Sequence, residues 1–453
     1  HAMRTIAAAY AWLSLLDIKL PARLMLGQYI SKKYGTARIP LLDLYLDYEL
    51  LNRNADRKDV ADYAYWFDRS MRQPEGFRDT GQVPEVIRQL GEFRDRQRSL
   101  VDAMHLVDGT IQIPLNVIED AIRTTPDELM CRQGGTAYLQ QMDQGSAEWV
   151  VNVFHGGNGR GYARMNYLRA AAVGREESLV VARSDETKHA IAQRRDQKSA
   201  LLAEYSGIHG SSLNLRTPVL DAVIDYPYTA AGDGSTRRRI PIADIAVEID
   251  QGDQLAHMVI ANTGERVTPV HVGMMADHQL SPLATFMERY FGETYLMHPS
   301  SPPFASSFEL ASLRGITEIP RIQVGDIIVR RHRWIVQENS LPSIDADTSD
   351  LNRWLALRNW FAQHGLPPRC YLRIWPGLTG ANAPTEAKSR KPTYFDIDSW
   401  WSVAPLTRRE LRGGFIVMDE ALPDVGRFKD RTRCSELLVE FESWFGSYAG
   451  GHR

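Results

Sequence analysis

The hydrophobic period of this chain changes once, near Gly109, and that change constrains its fold more than any other feature. Before it, apolar residues recur every three or four positions, which predicts helices over residues 5–19, 22–33, 57–72 and 85–104. Asp56 stands where its carboxylate can cap the third of these. After it, short alternating or β-branched runs predict strands at 110–113, 148–154, 200–205, 219–226, 242–249 and 265–272, broken by loops such as 231–235. A charged helix is predicted between them at 187–198.

The remainder mixes both patterns. A helix is predicted at 282–291, followed by a Pro- and Ser-rich stretch at 299–307 that reads as a linker or long loop. Strands are predicted at 326–330 and 333–337, then a helix at 350–364 with Leu351, Trp354, Leu357 and Phe361 on one apolar face. Strands follow at 369–374, 393–397, 415–418 and 435–441. The expected class is α+β, a helical N-terminal part followed by mixed sheets with packed helices. Three regions are expected: 1–108 mainly helical, 109–298 β-rich, and 299–453 mixed.

At 453 residues and 43% hydrophobic content, the chain is large enough for more than one core and is not expected to be disordered. Its 53 basic and 56 acidic residues do not favour a general nucleic-acid binder, though one local basic patch remains compatible. Three widely spaced cysteines with no C-x-x-C pair speak against a disulfide framework or zinc site and fit a reducing, cytoplasmic setting. The apolar run from Ile6 to Leu16 is too short to span a bilayer and is followed by no A-x-A-like site. It reads as an amphipathic or buried helix, and no membrane partner is expected.

Common catalytic signatures are missing from the sequence. His155, His209, His257, His271 and His278 are scattered without H-E-x-x-H spacing, so no metal site is expected, and there is no G-x-S-x-G elbow. The stretch from His155 to Gly161, after an apolar strand and before a helix near Ala163, has the order of a phosphate cradle. Its glycines lack G-x-G-x-x-G spacing and no Walker lysine follows, so a tight turn needing positive φ is the alternative. Arg160 and Arg164 lie four apart there and suit a carboxylate or phosphate; an ordinary solvated pair is the other reading. Basic clusters occur at Arg237-Arg238-Arg239, at Arg330-Arg331-His332-Arg333 before Trp334, and within 388–391 and 427–433. Each is either a contact for an RNA backbone or a solvated face.

Several segments, in order, resemble the large domain of lantibiotic (lanthipeptide) dehydratases and related tRNA-dependent peptide aminoacyl transferases. Tyr34-Gly35 with Ile39-Pro40-Leu41-Leu42-Asp43-Leu44 is similar to the family's "YG…VPLLeL", and Gly159-Arg160-Gly161-Tyr162-Ala163-Arg164 to its "G-x-GR…R" turn. Ser212 to Arg216 resembles "NV…RP", Ile240 to Ile245 "IPLDDL", and Val267-Thr268-Pro269-Val270-His271 "V-x-P-x-H". Downstream, Ile319-Pro320-Arg321 through Gly325 to Trp334 resembles "PR…G…W". Lys391 to Ser399 is similar to "KPxYvDFDSP", and Met418 to Pro423 to "EEMLP".

The resemblance implies the later half of that domain, and acyl transfer of an amino acid, typically glutamate, from aminoacyl-tRNA to a ribosomally made precursor peptide in natural-product biosynthesis. Aminoacyl-tRNA is then a co-substrate and no bound cofactor is expected. It further implies Arg160 and Arg164 as catalytic candidates, with Arg216, His271, Arg237, Arg238 and Arg239 as substrate-binding candidates. The family's upstream R-x-T-P-F-G motif and its elimination domain have no counterpart in this sequence. The expectation is one subunit of a split enzyme, completed by a second protein chain that carries the upstream half or the elimination activity. The alternative is a noncatalytic scaffold that binds the peptide or a partner enzyme.

Overall fold

The computed structural model describes residues 2–53, 85–125, 129, 134–157, 161–168, 200–205, 220–225, 237–250, 255–273, 280–292, 315–342, 348–375, 392–403, 414–424 and 435–441, apart from one or two adjacent positions at a time within these ranges. The predicted helices at 57–72 and 187–198, the Asp56 cap and the stretch 299–307 lie outside them.

Helix α1 (Ala2–Leu13) is buried nearly all round, including Ile6, Ala9, Tyr10 and Trp12, as an apolar run without a polar face requires. The predicted helix over 5–19 is cut short, and α2 (Leu20–Tyr34) starts afresh. Pro21 fits the first turn of α2, where its missing N–H has no intrahelical partner to lose. Gly35 ends α2 at φ +63°, a conformation that glycine adopts without strain. Helices α3 (Leu41–Arg53), α4 (Glu85–Asp102) and α5 (Leu115–Arg123) follow. Neither α3 nor α5 is among the predicted helices, although the buried Ile118, Ala121 and Ile122 of α5 stand at the i, i+3, i+4 spacing of a helix face.

The first sheet has the order β1 (Ile39–Pro40), β9 (Ile245–Ile249), β10 (Ala256–Ile260), β11 (Arg266–Val270), β6 (Ala200–Glu204), β7 (Ala222–Asp225), β8 (Arg238–Pro241). From β11 to β8 its strands pair in parallel, and Ala222, Val223 and Ile224 are all buried, as parallel strands covered on both faces require. Helix α6 (Pro282–Tyr290) completes this core with α2. Lys19 and Glu288 form a dry ion pair at 3.0 Å, and Tyr205 donates to Glu288 at 2.7 Å, fastening both helices to β6.

The second sheet has the order β19 (Leu437–Phe441), β4 (Gly135–Gln141), β5 (Trp149–Gly156), β14 (Ile327–Arg330), β13 (Arg321–Val324), β3 (Thr110–Ile113), β2 (Leu106–Val107). It gathers strands from widely separated stretches of sequence. Tyr10 of α1 packs on it between Phe154 and Phe441, with ring centroids 5.8 and 5.1 Å away.

The third sheet has the order β12 (Ile316–Ile319), β15 (Arg333–Gln337), β18 (Phe415–Glu420), β16 (Arg369–Trp375), β17 (Thr393–Asp396). Alternation gives it two unlike faces. Val336, Ile416, Met418, Cys370 and Leu372 point to one side and pack with α7 (Asp350–Gln363) and α8 (Trp400–Val403). On α7 Leu357 and Phe361 are buried as predicted, while Leu351 is 59% exposed and Trp360 takes its place in the core. Positions of the opposite parity, Arg333, Asp419, Tyr371 and Arg373, fall on the other face.

Candidate functional site

Strand β14 ends at Arg330 in the second sheet and β15 begins at Arg333 in the third, so the Arg-Arg-His-Arg run carries the chain between sheets in two residues. Arg333 pairs in register with Asp419, which pairs in register with Tyr371. Arg333 Nε donates to Asp419 at 2.6 Å, and Arg373 Nη1 lies 3.0 Å from the other oxygen of the same carboxylate.

Across from them, β4 and β5 slip register between Tyr138 and Leu139, which leaves Asn152 as an extra residue in a β-bulge. Bulges re-aim side chains, and this one presents the Asn152 amide oxygen to Arg331 Nη2 at 2.5 Å. The same Nη2 donates to the Leu422 carbonyl at 2.9 Å, and the guanidinium lies 5.9 Å from the Tyr371 ring centroid. Gln140 accepts from the Asn152 amide at 3.0 Å, and Glu436 accepts from it as well.

These groups enclose a cavity of about 270 Å³ lined by Gln140, Asn152, Arg331, Tyr371, Arg373, Asp419 and Glu436. Two guanidiniums, Arg333 and Arg373, share one buried carboxylate, Asp419, with Arg331 in the same cavity lining and Glu436 at the rim. Burial pushes the Arg331 and Arg373 guanidiniums down from their ordinary range, with Asp419 opposing that shift, and burial together with Arg333 lowers Arg330 to about 9. Arginine starts so high that these groups stay cationic at neutral pH. Arg331 Nε and Arg333 Nη2 are buried and have no hydrogen-bond partner among the described residues. Buried donors are seldom left orphaned, and a desolvated cluster with excess positive charge is built to receive an anion, most readily a planar carboxylate or a phosphate. Among the described residues no group of three or more His, Cys, Asp or Glu could hold a metal ion, and no helix is long and apolar enough to cross a membrane.

The residues singled out from sequence lie elsewhere. Arg160 and Arg216 fall outside the described residues, as do the clusters at 388–391 and 427–433. The described positions between 161 and 168 are helical; Ala163 packs with Leu220, Val270 and Val272 of the first sheet, and a Cβ on Gly161 would come 2.4 Å from Leu438 on the second. Gly157 adopts a positive φ of +72°, a conformation that a tight turn needs. His271 is buried and stacked on Tyr205 at 5.7 Å. Arg237 pairs with Glu204 at 3.1 Å, Arg238 with Glu265 at 2.8 Å and Arg239 with Asp225 at 2.8 Å. None of Arg164, His271 or Arg237–Arg239 lines the cavity.

The Arg330–Arg333 cluster is neither a solvated face nor an exposed RNA contact: Arg330 and Arg333 are 7% and 1% exposed, and Trp334 stacks on His332 at 4.2 Å. Asn152, Tyr371, Arg373 and Asp419 were missed. For Arg373 and Asp419 the signal was a charge at one parity of an apolar strand, within Arg369–Trp375 and Phe415–Glu420, since a charge on a buried strand needs a partner.

Residues 163–373 match the family described as "Lantibiotic dehydratase, N terminus". No curated protein matches the chain. Among solved structures, the fold is similar to "Glutamylation domain, TbtB, from thiomuracin biosynthesis", with a TM-score of 0.75 and 28% identity over 97% of this chain and 49% of that one. The same domain bound to 5'-phosphodesmethylglutamycin gives a TM-score of 0.75 and 27% identity over 96% of this chain and 49% of that one. The tRNA dependent lantibiotic dehydratase MibB from Microbispora sp. 107891 shares the fold alone, with a TM-score of 0.55 and 15% identity over 95% of this chain and 38% of that one. The chain spans about half the length of the glutamylation-domain chains it matches (49%). Residues 163–373 are thus similar to the N-terminal region of the lantibiotic dehydratases, and the fold is similar to the glutamylation domain over nearly the whole chain.

Proposed function

We propose that this chain performs tRNA-dependent glutamylation of a ribosomally made peptide, with glutamyl-tRNA as co-substrate. The observation that carries this reading is the buried cavity lined by Arg331 and Arg373, with Arg331 Nε unfilled among the described residues, in a fold similar over 97% of the chain to a glutamylation domain. The glutamyl side-chain carboxylate fits the donors of Arg331 and Arg373, and Asp419 with Glu436 suits its α-ammonium group. The acceptor's lone pair attacks the ester carbonyl carbon of the aminoacyl-tRNA. An acyl bond to the acceptor forms, the bond to the ribose 3'-oxygen breaks, and the acceptor's proton ends on that oxygen. The protein's contribution is to hold both partners in line and to stabilise the oxyanion between them.

Arg160 and Arg164, on the segment after the bulged strand, are proposed to add positive charge toward the tRNA end, an approach that salt weakens. A second protein chain and a cytoplasmic setting belong to the same proposal. The test is calorimetric binding of adenosine carrying glutamate through a stable 3'-amide. The wild type is expected to bind it, to bind the glutamine counterpart more weakly, and to lose binding in Arg373→Ala. Equal binding of the glutamate and glutamine forms would remove the carboxylate assignment.

A further inference from the structure

We propose that Asn152 sets the charge preference of the arginine cavity, as a neutral spacer that holds Arg331 and keeps its positive charge for the ligand; this rests on the transferase reading above. Among the described residues, the oxygens that hold Arg331 are all neutral: the Val151 carbonyl at 3.4 Å, the Asn152 amide oxygen at 2.5 Å and the Leu422 carbonyl at 2.9 Å. No described carboxylate forms an ion pair with it, whereas Asp419 is already shared by Arg333 and Arg373. A desolvated guanidinium held by dipoles alone keeps its full charge, at a cost that an arriving anion offsets.

A competing carboxylate is close at hand. Glu436 lines the same cavity and lies at the other end of the Asn152 side chain. The Asn152 nitrogen donates to Glu436 and to Gln140 Oε1 at 3.0 Å, while its oxygen meets a guanidinium, which only donates. Its neighbours thus fix which end of the amide is which. An aspartate here would pair with Arg331 and repel Glu436, and alanine would leave no group between the two charges. The bulge beside Tyr138 and Leu139 makes the placement possible: Val151 and Asn152, adjacent in sequence, both turn acceptors toward one guanidinium. Asn152 is a positioning residue whose neutrality matters to the site as much as its shape.

Asn152→Asp changes that charge with almost no change of shape, and calorimetry with three probes reads the effect. The wild type is expected to prefer the glutamate–adenosine amide to its glutamine counterpart by about tenfold or more, the scale of one charge-assisted hydrogen bond. Asn152→Asp is expected to bind the two forms within about twofold of each other, because Arg331 then has a carboxylate of its own. Adding Glu436→Gln gives that aspartate a donor again, and the double variant is expected to melt near the wild type yet still lack the preference. A purely structural role for Asn152 predicts that the preference returns with the repaired hydrogen bond, and that result overturns the proposal. So does a preference kept by Asn152→Asp alone, which leaves the transferase reading standing. Glutarate, which has carboxylates but neither ammonium group nor nucleoside, is the third probe, and Asn152→Asp is expected to bind it about tenfold more weakly than the wild type. Equal glutarate binding by the two proteins overturns the proposal. A wild type that binds glutarate more tightly than the variant but does not distinguish the two amides removes the transferase reading's carboxylate assignment and leaves the role of Asn152 standing.

Discussion

Arg333 and Asp419 stand opposite one another on neighbouring antiparallel strands, 2.6 Å from guanidinium nitrogen to carboxylate oxygen, with side chains 1% and 4% exposed. Removing both from water is costly, so the pair is not itself a source of stability. Its worth is positional: it fixes the floor of a cavity in which Arg331 and Arg373 converge.

Breaking that pair from one side strands charge in a dry place. Asp419→Ala leaves Arg333 and Arg373 without their shared carboxylate and is expected to lower stability by roughly 3–5 kcal/mol in urea unfolding. Replacing Arg333 and Asp419 together by apolar residues is expected to restore most of it. A loss below about 1 kcal/mol for Asp419→Ala, the size of an exposed pair, would contradict the buried geometry.

Arg331→Lys keeps the charge but not the planar fork. Lysine cannot serve Asn152 and the Leu422 carbonyl while lying against Tyr371, as Arg331 does. Donor-analogue binding is expected to fall about tenfold or more, the scale of one charge-assisted hydrogen bond. Unchanged affinity in a titration would mean that charge alone matters.

Gly135 lies under the aromatic contact that seats α1 on the second sheet. A Cβ there would come 2.8 Å from the Tyr10 ring and 2.9 Å from Phe441. Gly135→Ala is expected to cost about 1–3 kcal/mol through overpacking, read as a lower Tm, and Tyr10→Leu in the same chain should recover part of it. A neutral Gly135→Ala would show that α1 is loosely docked.

Asp47 accepts from Tyr29 at 3.0 Å, and also from Lys33 and Tyr34, clipping α3 to α2. Burial pushes its carboxyl up, but the hydrogen bonds from Lys33, Tyr34 and Tyr29 outweigh that and hold it below the usual range. A folded-state value below the unfolded one gives stability that is present above about pH 4 and lost as pH falls through the folded value. Stability measured between about pH 5 and 2 should therefore fall more steeply in the wild type than in Asp47→Asn. Parallel curves would remove this carboxylate from the acid response.

Much of the architecture was legible because period reports burial. Thr110–Ile113 and Arg333–Gln337 form as predicted, and Asp350–Gln363 is one residue short of its prediction. The Arg-Arg-His-Arg run was visible too, but its direction was not. Whether a basic cluster faces solvent or a cavity depends on which sheets its flanking strands join, and Arg330 and Arg333 belong to different sheets. Asn152 was out of reach for a related reason: a bulge is a register relation with a partner strand, here Tyr138 and Leu139, and no local pattern carries it.

The central claim is that this chain moves a glutamyl group from tRNA to a peptide. Incubating it with glutamyl-tRNA and candidate precursor peptides, with and without the product of a neighbouring gene, reads that claim by mass spectrometry. The expected product is a peptide heavier by one glutamyl residue, dependent on charged tRNA and lost in Arg331→Ala. No mass increase in any combination, or full transfer by Arg331→Ala, would contradict it.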